Sequence, residues 1–288
     1  MILVTGATGH VGGELAALLA AHGGARVRAM SRRPEAARFP AGIEPVRGDF
    51  EDDASLDRAM AGVERLFLVT TQATGTEGGP THERLAVRAA LRAGVEHIVK
   101  LSVLGGGRGP GVDSEDPIAR WHSAAEAAVT DSGIAWTLLR PGRFMSNALQ
   151  WGAMIQKGDK VHLSFATRPA ASIDPADIAA VALRALTEPG HRNQAYELSG
   201  PEALTPEQEL SILGAVLGRT LEPVPVPLEM ARAGMQRSGF PSHVIDAIVA
   251  RSVSTTHGTE VLSTVERITG RPPRTFEQWA RAHAGAFR

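Results

Sequence analysis

Three glycines near the start of the chain, Gly6, Gly9 and Gly12, have the spacing of a loop that binds a dinucleotide. An apolar run at residues 2–4 precedes them, and a helical pattern of apolar residues follows. Unpaired amides and the positive end of the helix dipole suit a pyrophosphate at this place. The sequence therefore predicts cofactor contacts from Gly6, Thr8, Gly9, His10, Val11 and Gly12. The alternative is a glycine-rich turn without a ligand.

Two arginines follow the second predicted strand, at residues 26–30. An acidic residue here would bind the ribose 2′-hydroxyl of NAD, but the chain offers Ser31, Arg32 and Arg33. A guanidinium group matches the geometry of a 2′-phosphate. We therefore expect Ser31 and Arg32 to bind NADP(H) in preference to NAD(H). The alternative is that these arginines belong to a solvated loop.

Polar residues also follow the third and fourth predicted strands. Asp49 could accept the adenine amino group, or it could cap the helix that begins near Ser55. Thr70 and Thr71 come directly after a buried strand at residues 65–69. Ligands bind at the carboxyl ends of parallel strands, so we expect these threonines to border the cofactor ribose and nicotinamide.

Three further side chains are candidates for catalysis. Lys100 and Ser102 end the fifth strand, where the lysine could lie near the cofactor or a developing anion and the serine could bind a substrate oxygen. His122 lies on a helix at about residues 117–131, and an ordinary pKa near 6.5 suits ribose contact or proton donation. Glu126, one turn further on, could orient it. The alternatives are a strand-end lysine in solvent and a structural histidine.

The sixth predicted strand ends in the sequence RPGRF. Its end should lie beside the nicotinamide, so we expect Pro141 and Phe144 to contact the cofactor. Phe144 and Met145 could also wall an apolar pocket for an aromatic substrate. The alternative for this pair is plain core.

The elements that must position these residues alternate between strand and helix through the first half of the chain. This alternation is typical of an α/β protein with a doubly wound parallel sheet of the Rossmann type. We expect a dinucleotide-binding domain at residues 1–150, with the sheet completed by about 171–199. A smaller, mostly helical domain at residues 200–288, together with an excursion at 151–170, should cap the substrate.

The 288 residues carry a formal net charge of −1, which gives no field for gathering nucleic acid or an anionic membrane. The lack of cysteine excludes thiolate metal sites and the histidines lack metal-ligand spacing, so we expect no metal. No apolar stretch approaches the roughly 20 residues that span a bilayer, and Met1 leads directly into a strand. We expect a cytoplasmic protein that acts on a small molecule, either as a monomer or as a homodimer.

Several segments together resemble the short-chain dehydrogenase/reductase superfamily, and more narrowly its atypical NmrA-like branch. They are VTGATGHVGG, SRRP, VKLS, WHSAAEAAVTDSGIAWTLLRPGRFMSN and YELSGPEALTPEQ, in order over roughly the first 215 residues. This branch includes quinone reductases, azoreductase-like enzymes and NADP-sensing regulators. The resemblance implies a Rossmann-type fold and a nicotinamide cofactor.

The chain departs from the superfamily in its catalytic pair. The superfamily reduces carbonyl groups with a tyrosine acid and a lysine four residues later. This chain has one tyrosine, Tyr196, and the residue four further on is Gly200. Setting the register by the helix and the following TLLRP places Ile118 at the tyrosine position and His122 at the lysine position.

The missing pair changes the expected substrate. A ketone that accepts a hydride develops a full alkoxide charge and needs a positioned acid, whereas a quinone develops a phenolate spread over its ring. We therefore expect an NADPH-dependent reductase of a conjugated small molecule, aromatic or quinone-like for preference, that works by direct hydride transfer. The alternative is a non-catalytic NADP(H) sensor that acts through a protein partner.

Overall fold

The computed structural model describes residues 1–70, 80–106, 117–253 and 258–288. The chain forms two compact units, Met1–Pro141 with Pro175–Glu197, and Gly142–Asp174 with Leu198–Arg288. A seven-stranded sheet organises the first unit, and a two-stranded sheet lies in the second.

The strands are β1 (Ile2–Val4), β2 (Val27–Ser31), β3 (Ile43–Arg47), β4 (Arg65–Leu68), β5 (His97–Leu101), β6 (Ala135–Pro141), β7 (Lys160–Ser164), β8 (Gln194–Leu198) and β9 (Glu222–Val226). The helices are α1 (His10–His22), α2 (Asp53–Met60), α3 (Thr81–Ala93), α4 (Pro117–Thr130), α5 (Gly152–Ile155), α6 (Pro175–Thr187), α7 (Pro206–Leu217), α8 (Leu228–Arg237), α9 (Ser242–Val253), α10 (Thr264–Thr269) and α11 (Phe276–His283). Short 3-10 helices lie at Pro34–Ala36, Met145–Trp151 and Ala284–Phe287.

The large sheet has the strand order β3-β2-β1-β4-β5-β6-β8, and β1 to β6 pair in parallel. The strand order reverses at β1, because β2 and β3 lie on one side of it and β4 on the other. In such a sheet the carboxyl ends of the strands at the reversal form the crevice that takes the ligand. The doubly wound parallel fold predicted from the sequence is confirmed.

Apolar strands hold the layers of the first unit together. Leu3, Leu66, Leu68 and Ile98 face one core, where they pack with side chains of α2, α3 and α4. α1 packs beside α6. β1 and β4 are buried along most of their length, which is typical of strands covered by helices on both faces. The carboxyl ends of these strands are therefore held in fixed positions relative to one another.

The second unit contains a parallel pair of strands that the sequence did not indicate. β7 lies within residues 151–170 and pairs with the proline-rich β9, with Val161 opposite Pro223 and Leu163 opposite Pro225. α7 begins with a capping box in which Thr205 and Gln208 bond each other's backbone amides. The assignment of this unit to substrate binding stays a prediction.

Candidate functional site

The loop between β1 and α1 has the geometry of a phosphate-binding turn. Gly6 has a φ of 60°, which favours glycine, and α1 begins at His10 without a side-chain cap on Gly9. A Cβ atom at Gly12 would lie 2.2 Å from the carbonyl oxygen of Gly6, so only glycine lets the helix pack this closely. The amides in the first turn of α1, including that of Val11, therefore lie directly beside the loop.

A cavity of about 480 Å³ opens beside this turn. Its lining includes Gly6, Thr8, Ser31, Arg32, Asp49 and Val69. Five of these six residues are cofactor contacts that the sequence predicts, and they come from the ends of three different strands. The close helix packing at Gly12 and the cavity beside it fit a dinucleotide. The individual contacts stay predictions.

Ser31 is the last residue of β2, and the two arginines follow it at the cavity. Arg32 and Arg33 are exposed, and the hydroxyl of Ser31 accepts a hydrogen bond of 3.2 Å from the amide of Arg33. Two guanidinium groups in the lining of a nucleotide-sized cavity suit a phosphate group.

One of the two roles considered for Asp49 is corrected. The cap of α2 is Asp52, whose carboxylate accepts from the amide of Ser55 at 3.0 Å. Asp49 instead lines the cavity, and its carboxylate accepts from the amide of Glu51 at 3.1 Å. Since the capping role belongs to Asp52, the prediction that remains for Asp49 is contact with the adenine.

Phe50 and His82 also line the cavity, and the sequence did not predict either of them as a site residue. Their rings stack with centroids 5.5 Å apart and an interplanar angle of 21°. Nε2 of His82 lies 3.8 Å from the carboxylate of Glu51. These residues are more than 30 positions apart in the chain, so only the fold brings them together.

Thr70, Glu83 and Lys100 form a connected group at the carboxyl ends of β4 and β5. The Thr70 hydroxyl donates to Oε1 of Glu83, and Nζ of Lys100 donates to the same oxygen at 3.1 Å. Glu83 and Lys100 are 0% and 1% exposed. Among the residues that the structure describes, Oε2 of Glu83 has no hydrogen-bond partner. The alternative of a lysine in solvent is therefore wrong, because α3 supplies a buried carboxylate for its ammonium.

A second group of the same kind lies at the ends of β5 and β6. Ser102 donates to Oε1 of Glu126 at 2.5 Å, and Arg140 donates to both oxygens of that carboxylate. Ser102 and Glu126 are both buried. Because the hydrogen of the serine points to Glu126, its oxygen offers only lone pairs to a ligand. Contact with a substrate oxygen, the role predicted for Ser102, would require the hydroxyl to turn.

His122 lies half-buried on α4, with its ring in edge contact with that of Trp121 at 4.7 Å between centroids. We expected Glu126 to orient this histidine. Both oxygens of Glu126 already serve Arg140 and Ser102, and the orienting role of Glu126 stays a prediction. The catalytic role of His122 stays a prediction, and Thr71 lies outside the described residues.

Pro141 is the buried last residue of β6, and its carbonyl accepts from the amide of Leu104 at 2.8 Å. Phe144 belongs to the second unit, where it is half-buried and bridges to Ile173. Their predicted contacts with the cofactor remain predictions.

The second unit also holds a buried ionic group that the sequence did not indicate. Arg143 donates to Ser172 at 2.8 Å and to Glu209, and Ser172 donates to Glu209 at 2.9 Å. Burial raises the pKa of the Glu209 carboxyl, while Arg143 acts in the opposite direction. The group ties α7 to the segment that precedes α6.

Two other features are absent from the described part of the chain. No cluster of three or more His, Asp or Glu side chains there could hold a metal ion. None of the helices there has both the length and the hydropathy that crossing a bilayer requires.

The reversed strand order and the glycine-lined cavity define a dinucleotide-binding protein of the Rossmann type. A sequence profile of the family described as NAD(P)H-binding matches residues 6–189. The (4-alkanoyl-5-oxo-2,5-dihydrofuran-3-yl)methyl phosphate reductase of Streptomyces griseus is 43% identical over 290 residues, covering 100% of this chain and 99% of that protein. The NAD(P)H azoreductase of Xenophilus azovorans is 36% identical over 296 residues, covering 100% of this chain and 99% of that protein.

Among solved structures, the NADPH-dependent quinone oxidoreductase of Escherichia coli in complex with NADPH superposes with a TM-score of 0.80. It is 28% identical, and the match covers 99% of this chain and 100% of that one. The chain belongs to the NAD(P)H-binding family, and the resemblance to NmrA-like reductases is confirmed. It is an NAD(P)H-dependent oxidoreductase.

Proposed function

We propose that the chain reduces a conjugated small molecule, quinone-like for preference, by direct hydride transfer from NADPH and without a tyrosine acid. The observation that carries this proposal is the place of the single tyrosine. The hydroxyl of Tyr196 contacts Nδ1 of His191 at 2.9 Å, and His191 acts electrostatically on His97 at the first position of β5. Lys100 lies toward the other end of β5, where the cofactor is proposed to bind.

The chemistry of the acceptor follows from this arrangement. When bound, NADPH supplies a hydride. An acceptor whose added electron pair spreads over several atoms forms a stable anion, so its reduction makes smaller demands on an acid than that of a ketone does. A conjugated acceptor therefore suits a site without a phenol.

The relatives support this class of acceptor. The Streptomyces protein is named for a dihydrofuran ring that carries an oxo and an alkanoyl group, and the Xenophilus protein for azo compounds. The Escherichia coli structure is that of a quinone oxidoreductase. In each acceptor the electron pair that arrives with the hydride can be shared with a neighbouring carbonyl oxygen or nitrogen.

The preference for NADPH over NADH rests on two arginines that line the cavity. Arg32 and Arg33 directly follow β2, at the place where a carboxylate would bind the ribose diol of NAD, and the first carboxylate after them, Glu35, is not part of the cavity lining. We assign the 2′-phosphate to this place.

The reacting end of the cofactor is proposed to lie over the two polar groups at the ends of β4, β5 and β6. Lys100 and Ser102 are members of these groups, and His122 lies on the helix that carries Glu126. For His122 we propose contact with the nicotinamide ribose. In this role, His122→Ala weakens NADPH binding more than it lowers kcat.

The purified chain tests the proposal when it is mixed with NADPH and four acceptors: a quinone, an azo dye, an alkanoyl-dihydrofuranone methyl phosphate and an unconjugated ketone. Loss of nicotinamide absorbance is expected with the first three acceptors, fastest with the quinone, and not with the ketone. Binding of NADPH without reduction of any acceptor would instead support the sensor alternative. Reduction of the ketone at a rate similar to that of the quinone would contradict the proposal.

A further inference from the structure

The two polar groups at the ends of β4, β5 and β6 share one plan but end in different cations. In each, a hydroxyl donates to a buried carboxylate that also pairs with a cation. One group ends in Lys100 and the other in Arg140. A lysine ammonium can release a proton, whereas an arginine guanidinium stays charged in proteins. Only the first group therefore ends in a cation that can replace a proton given by its hydroxyl.

We propose that Thr70 is the catalytic proton donor of the reduction, and that Glu83 and Lys100 replace the proton it gives. The inference rests on the proposed function, because it names the source of the proton that a reduced conjugated acceptor needs. It gives Lys100 a role through Glu83 and Thr70, since its buried ammonium is paired with Glu83.

The position of Thr70 supports this assignment. Val69 lines the cavity together with Gly6, and Thr70 follows it as a half-buried residue. The hydroxyl of Thr5 fixes this end of β4, because it bonds the amide of Val69 at 2.7 Å and its carbonyl oxygen at 3.0 Å. Thr70 is therefore held beside the crevice between β1 and β4.

Glu83 is built to pass a proton between its neighbours. Thr70 and Lys100 both reach the same oxygen, Oε1, and the carboxyl is fully buried. Among the described residues Oε2 lacks a partner, so no other group fixes the carboxylate in its charged form. His82, the residue before Glu83, lines the cavity, so α3 enters the unit beside the ligand.

The step balances in atoms and electrons. The acceptor takes a hydride from the nicotinamide, which is oxidised by two electrons, and becomes an enolate or phenolate anion. The hydroxyl of Thr70, which donates to Glu83 in the free chain, turns to the anion, and its O–H bond breaks as a new C–H or O–H bond forms there. Lys100 passes a proton to the carboxylate of Glu83 and becomes a neutral amine, and Glu83 passes that proton on to Thr70, so that Glu83 is again a carboxylate. Water returns a proton to the lysine through the same chain once the product has left.

Removal of the hydroxyl is the first test. Thr70→Val keeps the shape of the side chain, and we expect kcat with NADPH and a quinone to fall about 100-fold. Thr70→Ser restores the hydroxyl and should stay within about fivefold of the unmodified chain. The control is Thr187→Val on α6, which removes a half-buried hydroxyl bonded to Leu183. An unchanged kcat in Thr70→Val would overturn the proposal.

Replacement of Lys100 is the second test. Lys100→Arg keeps the positive charge beside Glu83 but cannot release a proton, so we expect a loss of kcat similar to that of Thr70→Val. Because the site is fully buried, the neutral double variant Glu83→Gln/Lys100→Met serves as a second version with little change of volume. A normal kcat in either variant would show that the charge or the packing suffices, and would overturn the proton route.

A coloured phenolate gives a readout that does not depend on turnover. A nitrophenol changes its absorption band when it gains a proton, and its anion resembles the reduced acceptor. Bound to the chain with NADP⁺, the probe should stay in the phenolate form because the Thr70 hydroxyl donates a hydrogen bond to it, and with Thr70→Val it should shift toward the protonated form. Equal spectra in the two proteins would contradict the proposal.

A cationic triarylmethane dye separates proton supply from hydride delivery. Its reduction adds a hydride to a cation and gives a neutral product, so no proton is needed. We expect Thr70→Val to reduce the dye as fast as the unmodified chain does. An equal loss with dye and quinone would mean that the variant damages hydride delivery, which overturns the assignment. If the unmodified chain reduces no acceptor at all, the proposed function itself is wrong.

Discussion

Arg140 holds the carboxylate of Glu126 through two parallel hydrogen bonds, from Nε to Oε1 at 2.9 Å and from Nη2 to Oε2 at 2.7 Å. Their side chains are only 18% and 4% exposed. The pair joins α4 to the end of β6 and leaves Oε1 to accept the hydroxyl of Ser102 as well. A buried carboxylate of this kind depends on its partner, because an unpaired charge in the interior is costly.

This dependence predicts the outcome of removing the arginine. Arg140→Met should lower the free energy of unfolding by about 3–5 kcal/mol, because Glu126 is left charged and buried. The double variant Arg140→Met/Glu126→Leu removes both charges and should recover much of that loss. Arg92→Met, which breaks the exposed pair with Asp57, should cost about 1 kcal/mol or less. Urea unfolding measures all three. A double variant as unstable as the single one would contradict the explanation.

The two adjacent glycines at the start of α1 predict opposite results for the same substitution. Gly12→Ala places a Cβ atom 2.2 Å from the carbonyl oxygen of Gly6, so the helix must shift and NADPH binding should be lost. At Gly13 the nearest atom to a new Cβ is 3.6 Å away. Gly13→Ala should therefore bind NADPH normally and gain up to about 1 kcal/mol of stability from helix propensity. Calorimetric titration with NADPH checks both variants, and normal binding by Gly12→Ala would rule out the packing argument.

The two arginines that line the cavity predict a change of cofactor preference. Arg32→Glu replaces a guanidinium at the cavity with a carboxylate, so NADPH affinity should fall by roughly 10- to 100-fold, as expected for a charged hydrogen bond. NADH lacks the 2′-phosphate, and its affinity should change little. Arg38→Glu makes the same charge change at an exposed residue outside the cavity lining and serves as the control. An unchanged ratio of the two affinities in Arg32→Glu would contradict the phosphate assignment.

The sequence predicts the nucleotide-binding turn well because all of its determinants are local. The glycine spacing, the strand before it and the helix after it lie within one short stretch, and the close packing at Gly12 is a property of that stretch. The parallel sheet is predictable for a related reason, since the alternation of strand and helix admits few topologies.

The partners of the polar residues could not be predicted, because they come from distant elements. Lys100 lies on β5 and Ser102 directly follows the strand, but their carboxylates lie on α3 and α4. Which glutamate meets which hydroxyl depends on how each helix packs on the sheet. The same limit explains the stacked rings of Phe50 and His82, which no spacing in the sequence indicates.

β9 could not be predicted as a paired strand, because its prolines hide the pattern of a strand. Pro223 and Pro225 lack amide hydrogens, which argues against a central strand. They alternate with Glu222 and Val224, whose amides therefore share one edge, and the amide of Glu222 bonds the carbonyl of Asp159 at 2.8 Å. A strand with proline at every second position can still pair along the edge that the amides of its remaining residues share.

His97, at the start of β5, predicts how stability depends on pH. Burial lowers its pKa from 6.5 to about 4, and the charges of Arg192, Arg65 and His191 act in the same direction. The ring stays neutral in the folded chain and contacts the hydroxyl of Thr137 at 2.9 Å.

Because the folded pKa of His97 is below the unfolded value, the unfolded chain binds more protons between pH 6.5 and 4. The contribution of His97 to stability is therefore complete above pH 6.5 and is lost as the pH falls through this range. Between pH 7 and pH 5 the free energy of unfolding should drop by about 2 kcal/mol from this residue alone. His97→Gln should remove that part of the slope in urea unfolding, whereas His22→Gln, at the exposed end of α1, should keep it. Equal slopes in the unmodified chain and His97→Gln would show that the buried imidazole is not the source.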